Sequence, residues 1–253
     1  MASHGGIIGI VAACLIFARR YRLNSLYLFD LAAVASPLGI FLGRIANFIN
    51  GELVGRPAPE GFPLGVKFPQ DMWTWPAQEP TKVLELAEAA EKVGIGRETW
   101  LQWANTSAQD PQARQNIYDA INRFIHEIQQ GNSAVRDAVA PYLELRHPSQ
   151  LYAAFGEGLL IFLILFFLWR KPKKPGFIAA SFVCLYAIIR ICTEMFRTPD
   201  AHIGFQALGL TRGQWLSIGM LLIGVVLMLI WTRAGSLPVS GWGRGQSIKL
   251  HRK

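Results

Sequence analysis

Two arginines stand inside long apolar stretches of this sequence, and polar residues accompany each at helical spacing. Arg44 lies in LGRIANFINGELVGR, about six residues, or roughly 9 Å of helix, before its apolar stretch ends. Asn47 follows one turn later on the same face, and Asn50 and Glu52 come at the boundary. Ionisable residues inside membrane helices are energetically costly and tend to mark function. This stretch is therefore a candidate site.

A second polar cluster lies in LYAIIRICTEMFRTPD. Tyr186, Arg190, Glu194 and Arg197 are spaced by four, four and three residues, which places them on one stripe of a helix. Arg190 lies roughly 10 Å from the end of its stretch, so that Arg44 and Arg190 reach a similar depth. Guanidinium groups can fork onto phosphate oxygens with two parallel hydrogen bonds. The two arginines thus predict a site for the phosphate of a phospholipid.

A purely structural interpretation stays open for part of the second cluster. Arg190 and Glu194, one helical turn apart, can neutralise each other and hold helices together. Arg44 has no acid one turn away. The acids available to it are Glu194, Glu157 and Asp30, and we expect Asp30 to lie too deep to help. Two arginines that face few buried acids favour an anion site.

Histidines near the ends of the apolar stretches are candidates for a base. His4 precedes Gly5 and Gly6 at the start of the first stretch, and a histidine between water and lipid could accept a proton near neutral pH. A lone histidine is more often structural. His147 belongs to RHPSQLY, which we interpret as a polar loop followed by a helix start at Pro148.

The apolar residues are concentrated in long runs, which predicts an all-α, polytopic helical membrane protein. The chain of 253 residues is 51% hydrophobic, with a mean hydropathy of +0.26. A helix needs roughly 20 mostly apolar residues to cross the hydrocarbon core. Five candidate spans follow, at 5–18, 26–49, 151–169, 177–196 and 214–231.

The net charge of +8 could suggest nucleic-acid binding, but the positions of the basic residues argue against it. They cluster directly after apolar runs, at 19–22, 170–174 and 233–253. Short segments rich in Lys and Arg mark the cytoplasmic side of a membrane protein. We therefore expect the long segment 51–150 to lie outside and the C-terminus to lie in the cytoplasm.

The segment between the second and third spans differs in composition. TKVLELAEAAEKVG and ARQNIYDAINRFIHEIQQG carry apolar residues at helical spacing. We expect a small helical extracytoplasmic insertion at 70–141. Transmembrane core parts at 1–69 and 142–232 flank it, and a basic cytoplasmic tail follows at 233–253.

Three stretches together resemble the prolipoprotein diacylglyceryl transferase family. They are SHGG at the start, GRIANFINGELVGR at 43–56, and RHPSQLY followed by EMFRTPDAHIGFQALGLTRGQWLS. The pattern G-R-x-x-N-F-I-N-x-E-x-x-G-R at the end of a membrane helix is long enough that chance is a poor explanation. We expect only the insertion at 70–141 to fall outside the resemblance.

The resemblance implies a transferase of bacterial lipoprotein biosynthesis in the cell inner membrane. Such an enzyme moves a diacylglyceryl group from phosphatidylglycerol to the lipobox cysteine of a prolipoprotein signal peptide, without cofactor or metal. It implies that Arg44 binds phosphatidylglycerol, that Arg190 is the second essential arginine, and that His4 matches a proposed base. The implied substrate-binding residues are Arg44, Asn47, Asn50, Glu52, Gly55, Tyr186, Glu194 and Arg197.

Two departures separate this sequence from the family pattern. The family commonly has an acid directly after SQLY, where this chain has Ala153, so that any role of the acid is lost or passes to Glu157. The family also has two more membrane helices and a glycine-rich arm ahead of the HGG stretch. We therefore expect this sequence to be a fragment or to start at an internal methionine.

Two other functions remain open at this point. An anionic-solute transporter would use the arginines as a binding ring, but it predicts charges near the midplane and broken helices, whereas these charges cluster near one face. An inactive fragment, which needs its N-terminal helices to work, is the second alternative.

Overall fold

A computed structural model of the chain describes residues 3–198, 204, 206–233 and 241. Its β structure comprises the antiparallel pair β1 (Val66–Lys67) and β2 (Leu145–Arg146) and isolated bridges, among them one of Pro57 to Arg146. The chain divides into two compact units. The membrane unit comprises Met1–Phe48 and Ser149–Lys253, and the inserted unit comprises Ile49–Pro148.

The remaining elements are helices, and their order follows the chain. They are α1 (Ser3–Tyr21), α2 (Ser25–Ile49), α3 (Trp75–Gln78), α4 (Pro80–Glu85), α5 (Ala87–Lys92), α6 (Arg97–Thr106), α7 (Pro111–Gln129), α8 (Ser133–Val139), α9 (Ser149–Ala153), a π-helical segment (Ala154–Leu160), α10 (Ile161–Leu168), α11 (Phe177–Glu194) and α12 (Arg212–Arg233). Two 3₁₀ turns occur at Pro69–Thr74 and Ala207–Gly209.

Four helices in the described part of the chain are long and apolar enough to cross a membrane, namely Ser25–Ile49, Ser149–Leu168, Phe177–Glu194 and Arg212–Arg233. Each begins and ends within two residues of a predicted span. The prediction of an all-α, polytopic membrane protein is confirmed. The first predicted span, at 5–18, lies within α1, and its crossing of the membrane stays a prediction.

The helix Ser149–Leu168 is not uniform, because its middle is the π-helical segment. Such segments break the regular α-helical spacing and are frequent at functional sites. Two of its glycines stand where neighbouring helices approach. A Cβ atom at Gly156 would lie 2.9 Å from Ile189 Cγ2 of α11, and one at Gly158 would lie 2.6 Å from Phe41 Cβ of α2. The missing side chains let both helices pack closely against the segment.

Buried Asp30 joins α2 to the beginning of α11. Its two carboxylate oxygens accept hydrogen bonds from the backbone N–H groups of Gly176 and Ala179, each at 2.8 Å. The first N–H groups of a helix have no acceptor within the helix, so this carboxylate caps α11. Gly176 has a φ of 88°, and a Cβ atom there would lie 2.7 Å from the Trp231 ring. The sequence therefore needs glycine at this position.

The inserted unit has its own apolar core. Trp100, Ile121 and Phe124 are fully buried between its helices, and the Trp100 indole N–H donates to the Val83 carbonyl at 2.9 Å. Asp110 caps α7 by accepting a hydrogen bond from the Gln112 N–H at 2.8 Å. The predicted insertion, 70–141, lies inside this unit.

Candidate functional site

The two arginines that the sequence analysis singled out meet at one carboxylate in the membrane unit. Glu157, in the π-helical segment, is fully buried. Arg44 Nη2 of α2 donates to Glu157 Oε2 at 3.0 Å, and Arg190 Nη1 of α11 donates to Glu157 Oε1 at 3.0 Å. Three different helical elements thus supply one cluster of charges.

A second carboxylate holds Arg190 from the other side. Glu194, one turn later on α11, lies with Oε2 at 2.6 Å from Arg190 Nη2. Its Oε1 accepts a hydrogen bond from the Thr211 hydroxyl at 3.2 Å. At Gly213, in the first turn of α12, a Cβ atom would lie 2.6 Å from the same oxygen. Glycine at this position therefore lets the start of α12 approach the Glu194 carboxylate.

Two neutral side chains complete the hydrogen bonding of the cluster. The Thr193 hydroxyl donates to Glu157 Oε1 at 2.6 Å. The Tyr186 side chain, one turn before Arg190 on α11, lies near enough to Arg44 of α2 for the two to interact electrostatically. The predicted stripe of Tyr186, Arg190 and Glu194 therefore lies in one cluster with Arg44.

The positive and negative charges of the cluster are equal in number, and both arginine side chains keep some exposed surface. Arg44 and Arg190 face Glu157 and Glu194, two cations to two anions. The contacts described above use only some of the five N–H donors of each guanidinium. The two arginine side chains remain 18% and 13% exposed, whereas Glu157 is at 0%. The exposed side-chain surface here therefore belongs to the arginines and not to Glu157.

Two further predicted residues lie on the same helices. Asn47 is half-buried in the last turns of α2, three residues after Arg44. Arg197 follows the end of α11, and its backbone N–H donates to the Glu194 carbonyl at 3.2 Å. Both residues belong to the membrane unit, and each is within three sequence positions of a residue of the charged cluster.

The other predicted residues of the 43–56 stretch belong to the inserted unit. Asn50 and Glu52 line a polar cavity of about 410 Å³, together with Gln70, Trp73, Asn122, Ile125, His126 and Gln129. The Gly55 carbonyl accepts a hydrogen bond from Arg146 Nη1 at 3.2 Å. The structure therefore brings Asn50 and Glu52 together with residues of α7, a neighbourhood that the sequence analysis did not predict.

Three expectations have plain outcomes in the structure. The His4 side chain lies outside the described residues, although its backbone is in α1. Asp30 caps α11, and no contact in the described structure joins it to the arginines. The expected ion pair of Arg190 with Glu194 is present, but so is the pair of Arg190 with Glu157. The two arginines share Glu157, and Glu194 pairs with Arg190 alone.

The sequence analysis missed two residues of the cluster. Thr193 and Thr211 carry no charge and gave no signal. Glu157 was named as an available acid and as a possible substitute for the family's acid after SQLY, although a lone acid within the apolar stretch 151–169 is itself such a signal. In the described part of the chain, no three His, Cys, Asp or Glu side chains are grouped so that they could hold a metal ion.

Comparison with known proteins identifies relatives along the whole chain. The family described as Prolipoprotein diacylglyceryl transferase matches residues 1–230. A phosphatidylglycerol–prolipoprotein diacylglyceryl transferase of Bdellovibrio bacteriovorus is 63% identical over 253 residues, which is 100% of this chain and 72% of that protein. Proteins of the same name from Rhodospirillum rubrum and Ralstonia pickettii are 35% and 33% identical over 95% and 93% of this chain. The chain spans 63% and 65% of these two relatives.

The similarity to the Bdellovibrio protein runs through the inserted unit as well. The expectation that residues 70–141 fall outside the resemblance is therefore wrong, because that relative carries a corresponding segment. The family predicted from the sequence motifs, a family of transferases, is confirmed. The chain belongs to the prolipoprotein diacylglyceryl transferase family.

Proposed function

We propose that this protein transfers a diacylglyceryl group from phosphatidylglycerol to the lipobox cysteine thiol of prolipoproteins. Two observations support this proposal. The chain belongs to the family named for this reaction. Arg44 and Arg190, from different helices, converge on Glu157 and keep part of their side-chain surface exposed. The convergence of the two arginines is the observation on which the proposal rests.

The proposed reaction is an alkyl transfer. The cysteine thiolate attacks the glyceryl carbon that bears the phosphate, a carbon–sulfur bond forms, and the carbon–oxygen bond to phosphate breaks. Glycerol phosphate leaves with the electron pair of that bond. Arg44 and Arg190 donate hydrogen bonds to the phosphate oxygens and stabilise the charge that grows on them, in a site where water screens poorly.

The thiol must lose a proton before it attacks, because the thiolate is the nucleophile. Positive charge from the arginines lowers the cost of forming the thiolate nearby. In this proposal His4 accepts the proton, and the substrate phosphate is the alternative acceptor. The transfer exchanges no electrons with a third partner, so it requires no redox cofactor.

The other predicted residues are assigned to substrate binding. Tyr186, Asn47 and Arg197 flank the arginines on α2 and α11 or just after them. Glu194 holds Arg190. Asn50, Glu52 and Gly55 are assigned to substrate binding on the family resemblance, and the cavity lined by Asn50 and Glu52 supports a binding role for these two.

The proposed location is the bacterial inner membrane, with several passes and a cytoplasmic C-terminus. The basic cluster at 19–22 lies at the end of α1, the cluster at 170–174 follows α10, and the basic residues at 233–253 begin with the last residue of α12. The positive-inside rule places these clusters in the cytoplasm. The inserted unit then lies on the opposite side, where the signal peptides of prolipoproteins emerge.

No observation in the described structure favours the transporter alternative. A transporter places its charges near the middle of broken helices. Here Arg44 lies five residues before the end of α2, and Arg190 lies four residues before the end of α11.

Mass measurement of a peptide tests the proposal. Purified protein is incubated with phosphatidylglycerol micelles and a lipobox peptide, and the mass of the peptide is followed. We expect a gain of one diacylglyceryl group that vanishes in Arg44→Ala and persists in Arg97→Ala, a matched change of an exposed arginine at the start of α6. Absence of the mass gain with the wild-type protein would overturn the proposal.

A further inference from the structure

Both carboxylate oxygens of Glu157 are engaged, and both bind an arginine. Oε1 accepts hydrogen bonds from Arg190 Nη1 and from the Thr193 hydroxyl, and Oε2 accepts one from Arg44 Nη2. It has no exposed surface. A buried carboxylate whose oxygens are already engaged is poorly placed to take a proton from a substrate, so its role must act through its partners.

Both partners carry the same charge, and they come from separate helices. Two guanidinium groups brought together in a medium of low dielectric constant repel each other strongly. One carboxylate between them offsets this repulsion and fixes the direction of each guanidinium plane through a hydrogen bond. Without it, α2 and α11 have no shared anion that holds both Arg44 and Arg190 in the described structure.

The residues on both sides of Glu157 support the same role. Gly156 faces α11 at Ile189, directly before Arg190 in sequence, and Gly158 faces α2 at Phe41, three residues before Arg44. A Cβ atom at either position would lie under 3.0 Å from its neighbour. The sequence Gly-Glu-Gly within the π-helical segment therefore admits one arginine-bearing helix on each side of the carboxylate.

We propose that Glu157 is a positioning residue that sets the spacing and orientation of Arg44 and Arg190 for the transfer step. This inference rests on the proposed function. A misplacement of about 1 Å at a catalytic group can cost about 100-fold in rate. Removal of the Glu157 charge also leaves one more net positive charge beside the bound phosphate. The chemical step and the binding of phosphatidylglycerol should therefore respond in opposite directions.

The test compares Glu157→Gln with Asp30→Asn. Both replace a buried acid of the membrane unit by its amide, but Asp30 accepts hydrogen bonds from backbone N–H groups at the start of α11 and not from the arginines. For Glu157→Gln we expect kcat to fall about 100-fold or more, with a KM for phosphatidylglycerol that is unchanged or lower. Glu157→Asp, shorter by one methylene group, should retain an intermediate kcat. Asp30→Asn should keep both constants near wild type.

A second measurement does not depend on turnover. Phenylglyoxal modifies guanidinium groups, and peptide mapping by mass spectrometry gives the rate at each arginine. In Glu157→Gln we expect faster modification of Arg44 and Arg190. Arg146, 16% exposed and paired with Asp71 in the inserted unit, serves as an internal control and should keep its rate. A general loss of structure would accelerate all three.

The outcomes separate this inference from the proposed function. If the wild type transfers lipid and Glu157→Gln keeps kcat within about threefold of it, the inference is wrong and the function stands. A rise in KM at constant kcat would also overturn the inference. If the wild type transfers nothing, the proposed function fails, and the rates of phenylglyoxal modification then test the positioning role. Faster modification confined to Arg44 and Arg190 in Glu157→Gln supports that role. Unchanged rates overturn it.

Discussion

Arg44 of α2 and Arg190 of α11 are separated by most of the chain, yet each lies 3.0 Å from an oxygen of the same buried carboxylate. This arrangement places two forked donors side by side. In the proposed reaction the charge of the leaving phosphate develops where these donors point.

The first prediction concerns the shape of the arginine side chain. Arg44→Lys and Arg190→Lys keep the positive charge but remove the planar fork that can bind two phosphate oxygens at once. We expect each lysine variant to lower the transfer rate by about 100-fold or more. Initial rates of peptide lipidation give the measurement. Transfer by a lysine variant at the wild-type rate would show that only charge is needed.

The second prediction concerns the support of Arg190 by Glu194. Glu194→Gln removes the ion pair at 2.6 Å and weakens the contact with the Thr211 hydroxyl. Because Arg190 keeps Glu157, we expect a moderate loss of stability, about 2 kcal/mol. Thermal unfolding in detergent measures it, with Thr211→Val as the milder comparison at about 1 kcal/mol. Equal melting temperatures of wild type and Glu194→Gln would contradict the structural role of this pair.

The third prediction concerns the cap of α11. Asp30→Ala leaves the N–H groups of Gly176 and Ala179 without their acceptor and should destabilise the membrane unit by about 1–2 kcal/mol. Asp30→Asn should cost less, because its single amide oxygen can still accept one of the two hydrogen bonds. Unfolding curves of both variants in detergent provide the comparison. The account of the cap fails if both variants unfold at the same temperature.

The fourth prediction concerns pH and the inserted unit. Burial raises the pKa of the Asp71 carboxyl above its ordinary 3.8, while the partner Arg146 opposes this rise. The folded state therefore holds the Asp71 proton more tightly than the unfolded chain does. The stability that this proton adds is complete below about pH 3.8 and is lost as the pH rises through the raised pKa.

Arg146→Met removes the opposing partner and should raise the pKa of Asp71 further. We expect the inserted unit to lose about 3 kcal/mol of stability at neutral pH, because a buried carboxylate is left without its cation. Part of this loss should be recovered as the pH falls towards about 4. Hydrogen exchange of α7, followed by mass spectrometry at both pH values, measures the loss of stability and its recovery. The double variant Arg146→Met with Asp71→Asn is the control. If the single variant Arg146→Met lost the same stability at both pH values, the prediction would be contradicted.

The sequence predicted the membrane helices well because the signal is local. An apolar run of about 20 residues specifies a span by its length alone, and the basic residues that follow mark its end. The stripe of Tyr186, Arg190 and Glu194 was also predictable, since helical spacing alone aligns these residues. These features need no knowledge of which helices are neighbours.

The contacts between helices were not predictable in this way. Glu157 meets Arg44 across 113 residues of sequence, and Asp30 meets Gly176 across 146. The π-helical segment also shifts Glu157 from the regular α-helical spacing, so a helical projection misplaces it. Asp30 was expected only to lie too deep to assist the arginines, and its capping of α11 depends on the packing of α2 against that helix.

The most direct test of the central claim is a double-mutant cycle on the two arginines. Binding of phosphatidylglycerol is measured for the wild type, Arg44→Gln, Arg190→Gln and the double variant, with the Arg97→Gln protein as control. If both guanidiniums bind one phosphate, the double variant should bind little more weakly than the weaker single variant, with a coupling of about 1 kcal/mol or more. Losses that add up independently, as from two separate sites, would contradict the account.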